Sequence, residues 1–350
     1  MNAIITLIIL IIMLSLIVFV HEFGHFIAAK KNKVYVHEFS VGMGPKIFQF
    51  KRKNDETVYS LRALPLGGYN AIASTSEGRT KGVKKDQILE NKSYFSRFTI
   101  LVMGIIFNFI LAIVLTFISA LIYGSVVNKP YIGYVEESSP ADISGIQKGD
   151  LLVSVDGKKI NTFDDLIIET RYGKIKEEYT LVVKRNDKEY NFVVKPRFET
   201  DEEGNKYPVF GLASDNRREK GLLSAIKYTF TETYYSSTSL FKVLKKLFTG
   251  SIKVNSLSGP VGIYGVIDNI KSKGLESIIY LTAYLSINVA IINLLPIPVF
   301  DGGRILLLLI ERIKGKRINE KVEVILNTIG TFILIALMIY VTIKDIIRIL

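Results

Sequence analysis

Ala3 to Val20 is a run of eighteen uncharged, mostly apolar residues that leads without a break into His21-Glu22-Phe23-Gly24-His25. No other segment limits the fold as strongly. Crossing a bilayer takes about 20 residues of helix, because lipid offers nothing to satisfy an open backbone. If the helix continues through the histidines, His21 and His25, four residues apart, share one face. They can then offer two imidazole nitrogens to one metal ion, while Glu22 can reach a bound water without being a ligand. This is the HExxH spacing, in which zinc supplies Lewis acidity and the glutamate takes the water's proton. The plainer alternative is a pair of helix histidines hydrogen-bonded in a core. Histidine is scarce here, the third and last being His37, so the spacing favours the metal. The first twenty residues lack a positive leader and a small-residue cleavage site. A retained span is therefore expected, not a cleaved signal peptide.

The chain has no cysteine, which excludes disulfides, thiolate ligands and cysteine nucleophiles. Histidine, aspartate and glutamate must supply any zinc ligands. Hydrophobic residues make up 49% of the 350, enough for a membrane bundle and one small soluble domain. The net charge of +12 would suit nucleic acid, but the lysines cluster beside the apolar segments, so no nucleic-acid partner is expected. Four stretches can span: residues 2 to about 27, Phe98 to Tyr123, Ile278 to about Ile297, and Val324 to Ile343. Between the first two lie 14 Lys and Arg against 6 Asp and Glu, over residues 30–97. Between the last two come Arg312, Lys314, Lys316, Arg317 and Lys321. The positive-inside rule puts both basic connections in the cytoplasm, with the N-terminus and the 124–277 segment outside. Lys30 is the first charge after the motif, roughly 8 Å along a helix from His25, so the histidines sit at or below the cytoplasmic edge of the hydrocarbon.

A catalytic zinc keeps three protein ligands and an open position. The third span ends in Asn293-Leu-Leu-Pro-Ile-Pro-Val-Phe-Asp301-Gly-Gly-Arg304, where Pro296 and Pro298 break the helix. Broken backbone at that depth belongs beside a cavity or inside protein. Asp301 could simply cap an apolar helix over Ile305–Ile310. Its depth matches that of the HExxH, because the first and third spans run in the same direction, and this favours a third ligand.

These features together resemble the site-2 protease family, and within it the bacterial RseP-type regulated intramembrane zinc metalloproteases. The resemblance rests on HExGH in the first span, Leu295-Pro-Ile-Pro-Val-Phe-Asp301-Gly-Gly in a later one, and a PDZ-like insert. Gly42-Met-Gly-Pro45, Leu64-Pro-Leu-Gly-Gly-Tyr69, Phe107-Asn108 and Ser258-Gly-Pro-Val-Gly262 extend it over essentially the whole chain. Phe300 stands where the family commonly has leucine, and only one PDZ-like domain fits where RseP has two. The resemblance implies zinc held by His21, His25 and Asp301, with Glu22 as general base. It also implies a bacterial inner-membrane location, an active site near the cytoplasmic side, and substrates that are membrane proteins or signal-peptide remnants. An upstream site-1-type protease would trim them first. Asn293 would hydrogen-bond the substrate backbone. Asn108 would do likewise, or serve as interhelical glue.

The implied fold is a multi-span α-helical membrane protein with a membrane-associated β-hairpin and an inserted extracytoplasmic α+β PDZ-like domain. Its segments are span 1 (1–29), the hairpin loop (30–97), span 2 (98–124), the PDZ-like domain (128–198), a linker with an amphipathic helix (199–277), the broken span 3 (278–313) and span 4 (324–344). Lys46–Lys51 and Glu56–Leu64 read as strands about a Lys53-Asn54-Asp55 turn. The uncharged Pro65 to Tyr69 that follows, with Gly67 and Gly68, suits a loop dipping into the membrane to pair with an extended substrate. In the insert, Leu151–Val155 reads as a strand, Phe163–Tyr172 as a helix and Thr180–Val194 as a hairpin. A peptide groove would use the edge at Gly133, Tyr134 and Val135, unless the domain serves only as a steric filter. Residues 199–220 read as a linker, and Leu240 to Phe248 as a helix lying on the membrane or on the PDZ-like domain. Two rival readings remain. One is another membrane HExxH protease using Glu311 or Glu320 as third ligand. The other is a non-enzymatic PDZ scaffold or metal-permeation protein.

Overall fold

The computed structural model describes residues 2–126, 129–200, 206–215, 217–251 and 259–349. Asn128, the start of the expected PDZ-like segment, and Ser258 of the Ser-Gly-Pro-Val-Gly motif lie outside the described residues. In chain order the elements begin with α1 (Asn2–Lys31), β1 (Val36–Lys51), β2 (Val58–Ile72), α2 (Tyr94–Tyr123), β3 (Ser125–Val126) and β4 (Ile132–Val135). Next come α3 (Pro140–Ser144), β5 (Leu151–Val155), β6 (Lys158–Lys159), α4 (Phe163–Arg171), β7 (Tyr179–Arg185) and β8 (Lys188–Val194). The remainder is β9 (Arg197–Thr200), β10 (Lys206–Val209), β11 (Leu212–Ser214), β12 (Arg218–Glu219), α5 (Leu222–Phe248), α6 (Pro260–Ile270), α7 (Leu275–Leu294), α8 (Asp301–Lys314) and α9 (Glu320–Ile349). Among the described residues four helices are long and apolar enough to cross a membrane: α1, α2, α7 and α9. This is a multi-span membrane protein, with each span within a few residues of its expected place.

Two compact units divide the chain, Met1–Leu115 with Ser258–Asp345, and Thr116–Leu257 with Ile346–Leu350. In the first, α1 holds its helix past the histidines and ends where Lys33 turns left-handed at φ 55°, with Val34 N donating to Ala29 O. Its C-terminal end packs Phe26, Ala28 and Ala29 against Val34, against Val36 and Phe39 of β1 and against Ile100 of α2. Phe26 and Phe39 stack with ring centroids 4.6 Å apart. At the other end of α1, Thr6 donates to Asp268 of α6 at 2.7 Å. Asp345, 1% exposed near the end of α9, accepts from Gly259 N and Gly262 N, both at 2.8 Å. A buried carboxylate thus satisfies the open first turn of α6.

The expected hairpin is more extensive than two straight strands. Residues 36–41 pair with 68–72 along one edge and with 58–61 along the other, while 46–51 pair with 58–62. Glycine and proline bends at Gly42, Pro45, Pro65 and Gly67 let each strand double back, which the alternation of side chains did not reveal. The segment after Pro65 lies against α1. Ser15 Oγ donates to Pro65 O, and Gly67, at φ 72°, would place a Cβ 2.5 Å from Val18 Cγ1.

The second unit has one core, in which Ile132, Ile146, Leu152, Val155, Leu166, Leu181, Val183, Val194 and Phe210 are buried together. Its sheet runs β6-β5-β7-β8, with two-residue turns at Asp156-Gly157 and Asn186-Asp187 whose residues all have positive φ. Those are the left-handed turns that Asn, Asp and Gly tolerate. A capping box between Thr162 and Asp165 starts α4. Two expectations need correction here. Residues 199–220 are not merely a linker: β9 pairs with β10, β11 with β4, and β12 with β3. They complete the unit, and Phe210 is part of its core. The edge at Gly133, Tyr134 and Val135 is occupied on one of its sides. Leu212 and Ala213 of β11 pair with Val135 and Tyr134 on one side, and Ile132 bonds to Gly149 and Asp150 on the other. The alternating pattern marked a strand but not its neighbours.

Gly67→Val tests the close packing of β2 on α1. It must strain a left-handed backbone and displace Val18, a cost of about 2–3 kcal/mol. Thermal unfolding in detergent should show a clearly lowered midpoint, and an unchanged midpoint would contradict the packing described.

Candidate metal centre

One turn of α1 separates His21 and His25, whose rings stand edge to face with centroids 4.7 Å apart. Their Nε2 atoms are 3.1 Å apart. Asp301, first residue of α8, brings its Oδ2 to 3.1 Å from His21 Nε2 and 3.2 Å from His25 Nε2. Both histidines are buried, and Asp301 Oδ2 is buried without a well-directed hydrogen bond. Among the described residues this is the one group of three or more metal-ligating side chains that converge.

Three acceptor atoms crowded together away from water are unfavourable unless a cation sits among them. Ligands about 2.0–2.1 Å from a tetrahedral zinc lie roughly 3.3 Å from one another, close to this triangle. A two-nitrogen, one-oxygen donor set also suits zinc, and the residues therefore fit the ion. The environment behind the rings agrees. His25 Nδ1 lies 2.7 Å from Ile100 O, which fixes the proton there and leaves Nε2 free.

The surrounding backbone explains why the chain folds this way. α7 stops at Leu294, short of the expected Ile297, because Pro296 and Pro298 cannot continue its hydrogen bonding. The link to α8 turns sharply, with Val299 at φ 95°, a strained value for a β-branched residue. A Cβ at Gly302 or Gly303 would overlap the carbonyls of Leu294 or Ile297, so the Asp-Gly-Gly sequence is what lets α8 start against the end of α7. On the other flank α1 and α2 come very close. A Cβ at Gly24 would stand 2.5 Å from Met103 O, and one at Gly104 would overlap His25 Nε2.

The triad lines a cavity of about 520 Å³ together with Glu22 and Asn293. Tyr69, Asn70, Arg79 and Arg304 also face it. Glu77 links the last two, at 2.7 Å from Arg79 and 3.2 Å from Arg304. The sequence pointed to Arg304 and Tyr69 only as neighbours of the two glycine motifs, and nothing in it marked Asn70 or Arg79. Gly67 and Gly68 are not in the cavity wall but precede Tyr69 and Asn70, and Gly68 approaches Glu22 closely. Asn108, expected to contact substrate or to serve as interhelical glue, is fully buried and is not among the residues that line the cavity. Its carbonyl accepts from Ser286 Oγ of α7 at 2.9 Å, joining two spans. Glu311 is not beside the histidines either, being paired with Arg97 at 2.6 Å. The side chain of Glu320 lies outside the described part, and His37 contacts Arg79 O instead.

The profile of Peptidase family M50 matches residues 9–337. The chain belongs to that family. Among relatives, the regulator of sigma-W protease RasP from Bacillus subtilis is 33% identical, over 98% of this chain and 98% of its own. The zinc metalloprotease RasP of Bacillus licheniformis is 30% identical over 98% and 99%. A Fusobacterium nucleatum protein named as a zinc metalloprotease is 36% identical over 97% and 98%. As an M50 peptidase with four helices among the described residues that can cross a membrane, the chain is an intramembrane zinc protease, and the scaffold and permeation readings are not favoured.

Gly104→Ala is expected to lower zinc content sharply, because the added methyl enters the space of the His25 imidazole. Metal analysis of the purified variant, set against its unfolding midpoint, separates loss of the site from loss of the fold.

Proposed function

We propose that His21, His25 and Asp301 hold the zinc and that Glu22 is the general base and then the general acid of peptide-bond hydrolysis. The observation that carries this is the triangle of 3.1–3.2 Å between the three ligand atoms, in a cavity that Glu22 also lines. Zinc held there would supply Lewis acidity to the scissile carbonyl and to the water whose oxygen adds to it as the C–N bond breaks. Glu22 takes the proton of that water and returns it to the leaving amine. Asn293, at the end of α7, offers its amide to the substrate backbone where the helix must be unwound. The closely packed segment from Pro65 to Asn70 offers strand pairing to the same extended stretch. Exposed Val41, Met43, Ile47, Phe48, Phe50, Leu61 and Leu64 support a hairpin sheet set in the membrane surface.

The substrate is a membrane-spanning segment, either of a membrane protein or of a signal-peptide remnant, trimmed beforehand by a separate protease. The enzyme sits in the bacterial inner membrane with its catalytic cavity toward the cytoplasm and its second unit outside. That unit is PDZ-like and takes an extended peptide end. A groove of about 480 Å³ lies between α4 and residues 207–213, where β11 has no second strand neighbour among the described residues. The groove and the open side of β11 support a pairing edge on β11, one strand over from Gly133–Val135. Lys242 and Lys246 of α5 bind Asp165, Glu169 and the carbonyl of Ile168, so α5 braces the groove's helical wall. Phe241 and Phe248 of the same helix remain exposed.

Cleavage of a single-span substrate with a trimmed ectodomain, in detergent, tests the catalytic reading. Glu22→Gln should retain zinc yet lose activity by at least about 10²-fold, the usual contribution of a positioned base. Asp301→Ala should lose zinc itself. Retention of both metal and activity by Asp301→Ala would falsify the ligand assignment.

A further inference from the structure

We propose that Asn108 is the positioning residue of His21: its Oδ1 accepts a hydrogen bond from His21 Nδ1–H and so presents Nε2, unprotonated, to the metal. The inference rests on His21 being a ligand. An imidazole that binds a metal through Nε2 carries its proton on Nδ1, and that proton needs an acceptor when the ring is buried. His25 has one in Ile100 O at 2.7 Å. Opposite His21 Nδ1 stands the side-chain amide of Asn108, at 3.4 Å and 0% exposed.

The atom nearest Nδ1 is Nδ2, and the Oδ1 of the same amide is buried without a partner. A donor would then face a donor, and an acceptor would face nothing. Half a turn of the amide exchanges two atoms of nearly equal size and gives His21 Nδ1–H and Asn108 Oδ1 each other as partners. Residues 100, 104 and 108 follow at intervals of four along α2 and therefore share one face. Ile100 supplies a carbonyl behind His25, Gly104 leaves room for both rings, and Asn108 supplies an amide behind His21. The bond from Ser286 Oγ to Asn108 O braces the last position from α7. One stripe of α2 thus orients both imidazoles, and the buried asparagine acquires a role.

The test uses the full-length chain in detergent. Zinc affinity is measured by competition with a chromophoric chelator, and the visible spectrum is recorded after loading with Co²⁺ alone. Asn108→Leu keeps the volume and removes the acceptor. It should weaken zinc about 10–100-fold and alter the tetrahedral cobalt bands, while the metal-free unfolding midpoint stays near wild type. Asn108→Ala provides the same comparison should the leucine variant not fold. Asn108→Asp restores an acceptor and should return zinc affinity to the wild-type level or above. Wild-type affinity in Asn108→Leu and Asn108→Ala, or an equal loss in Asn108→Asp, overturns the proposal. His21→Ala separates the two layers of the argument. If it loses zinc and Asn108→Leu does not, only this inference falls. If His21→Ala binds zinc like wild type, the ligand assignment falls and this proposal with it.

Discussion

A carboxylate and two imidazole nitrogens held within 3.2 Å of one another, inside a membrane bundle, form the arrangement on which the larger unit depends. Away from water such a cluster of lone pairs is costly, and a cation is the natural way to offset it. The histidines come from one continuous helix and the aspartate from the start of another. The site therefore exists only if two distant parts of the chain reach the same depth. Breaking α7 at Leu294 and restarting at Asp301 achieves this, since an unbroken helix would carry Asp301 about two turns further on. The open backbone left by the break lies beside a polar cavity, where it is tolerated.

Close approach is the second requirement. Gly24 lets α1 contact the backbone of α2, Gly104 clears space for the imidazoles, and Gly302 seats α8 on the end of α7. Small residues serve between membrane helices because hydrophobic driving force is weak there and packing decides association. The same economy of space brings the Gly67–Gly68 segment of β2 against α1 one turn before Glu22, so that the residues that follow it, Tyr69 and Asn70, share a cavity wall with α1.

The extent to which this was legible in the sequence varied with the range of the interaction. Four spans could be read because twenty apolar residues have few other fates. The pairing of His21 with His25 could be read because helical periodicity is local. The turns at Asp156-Gly157 and Asn186-Asp187 were visible because left-handed backbone selects those residue types. Strand neighbours were harder. The expected edge at Val135 is covered by β11, from a stretch rich in charge and glycine that resembled a linker. Likewise the doubling back of β1 and β2 follows from bends whose partners lie elsewhere in the chain. Asn108 showed the same limit: a polar residue in a span suggested substrate contact or interhelical glue, and only its surroundings bring its amide to His21.

The sequence by itself determined the membrane spans, the helical face that carries both histidines, and the break ahead of Asp301. These follow from backbone hydrogen bonding in lipid and from the periodicity of a single helix. Only the tertiary structure decided that Asp301 meets those histidines, that one stripe of α2 stands behind both rings, and which strand borders the groove of the second unit. Each of these depends on contacts between residues far apart in the chain, and local preferences carry no record of which distant surface a side chain will meet.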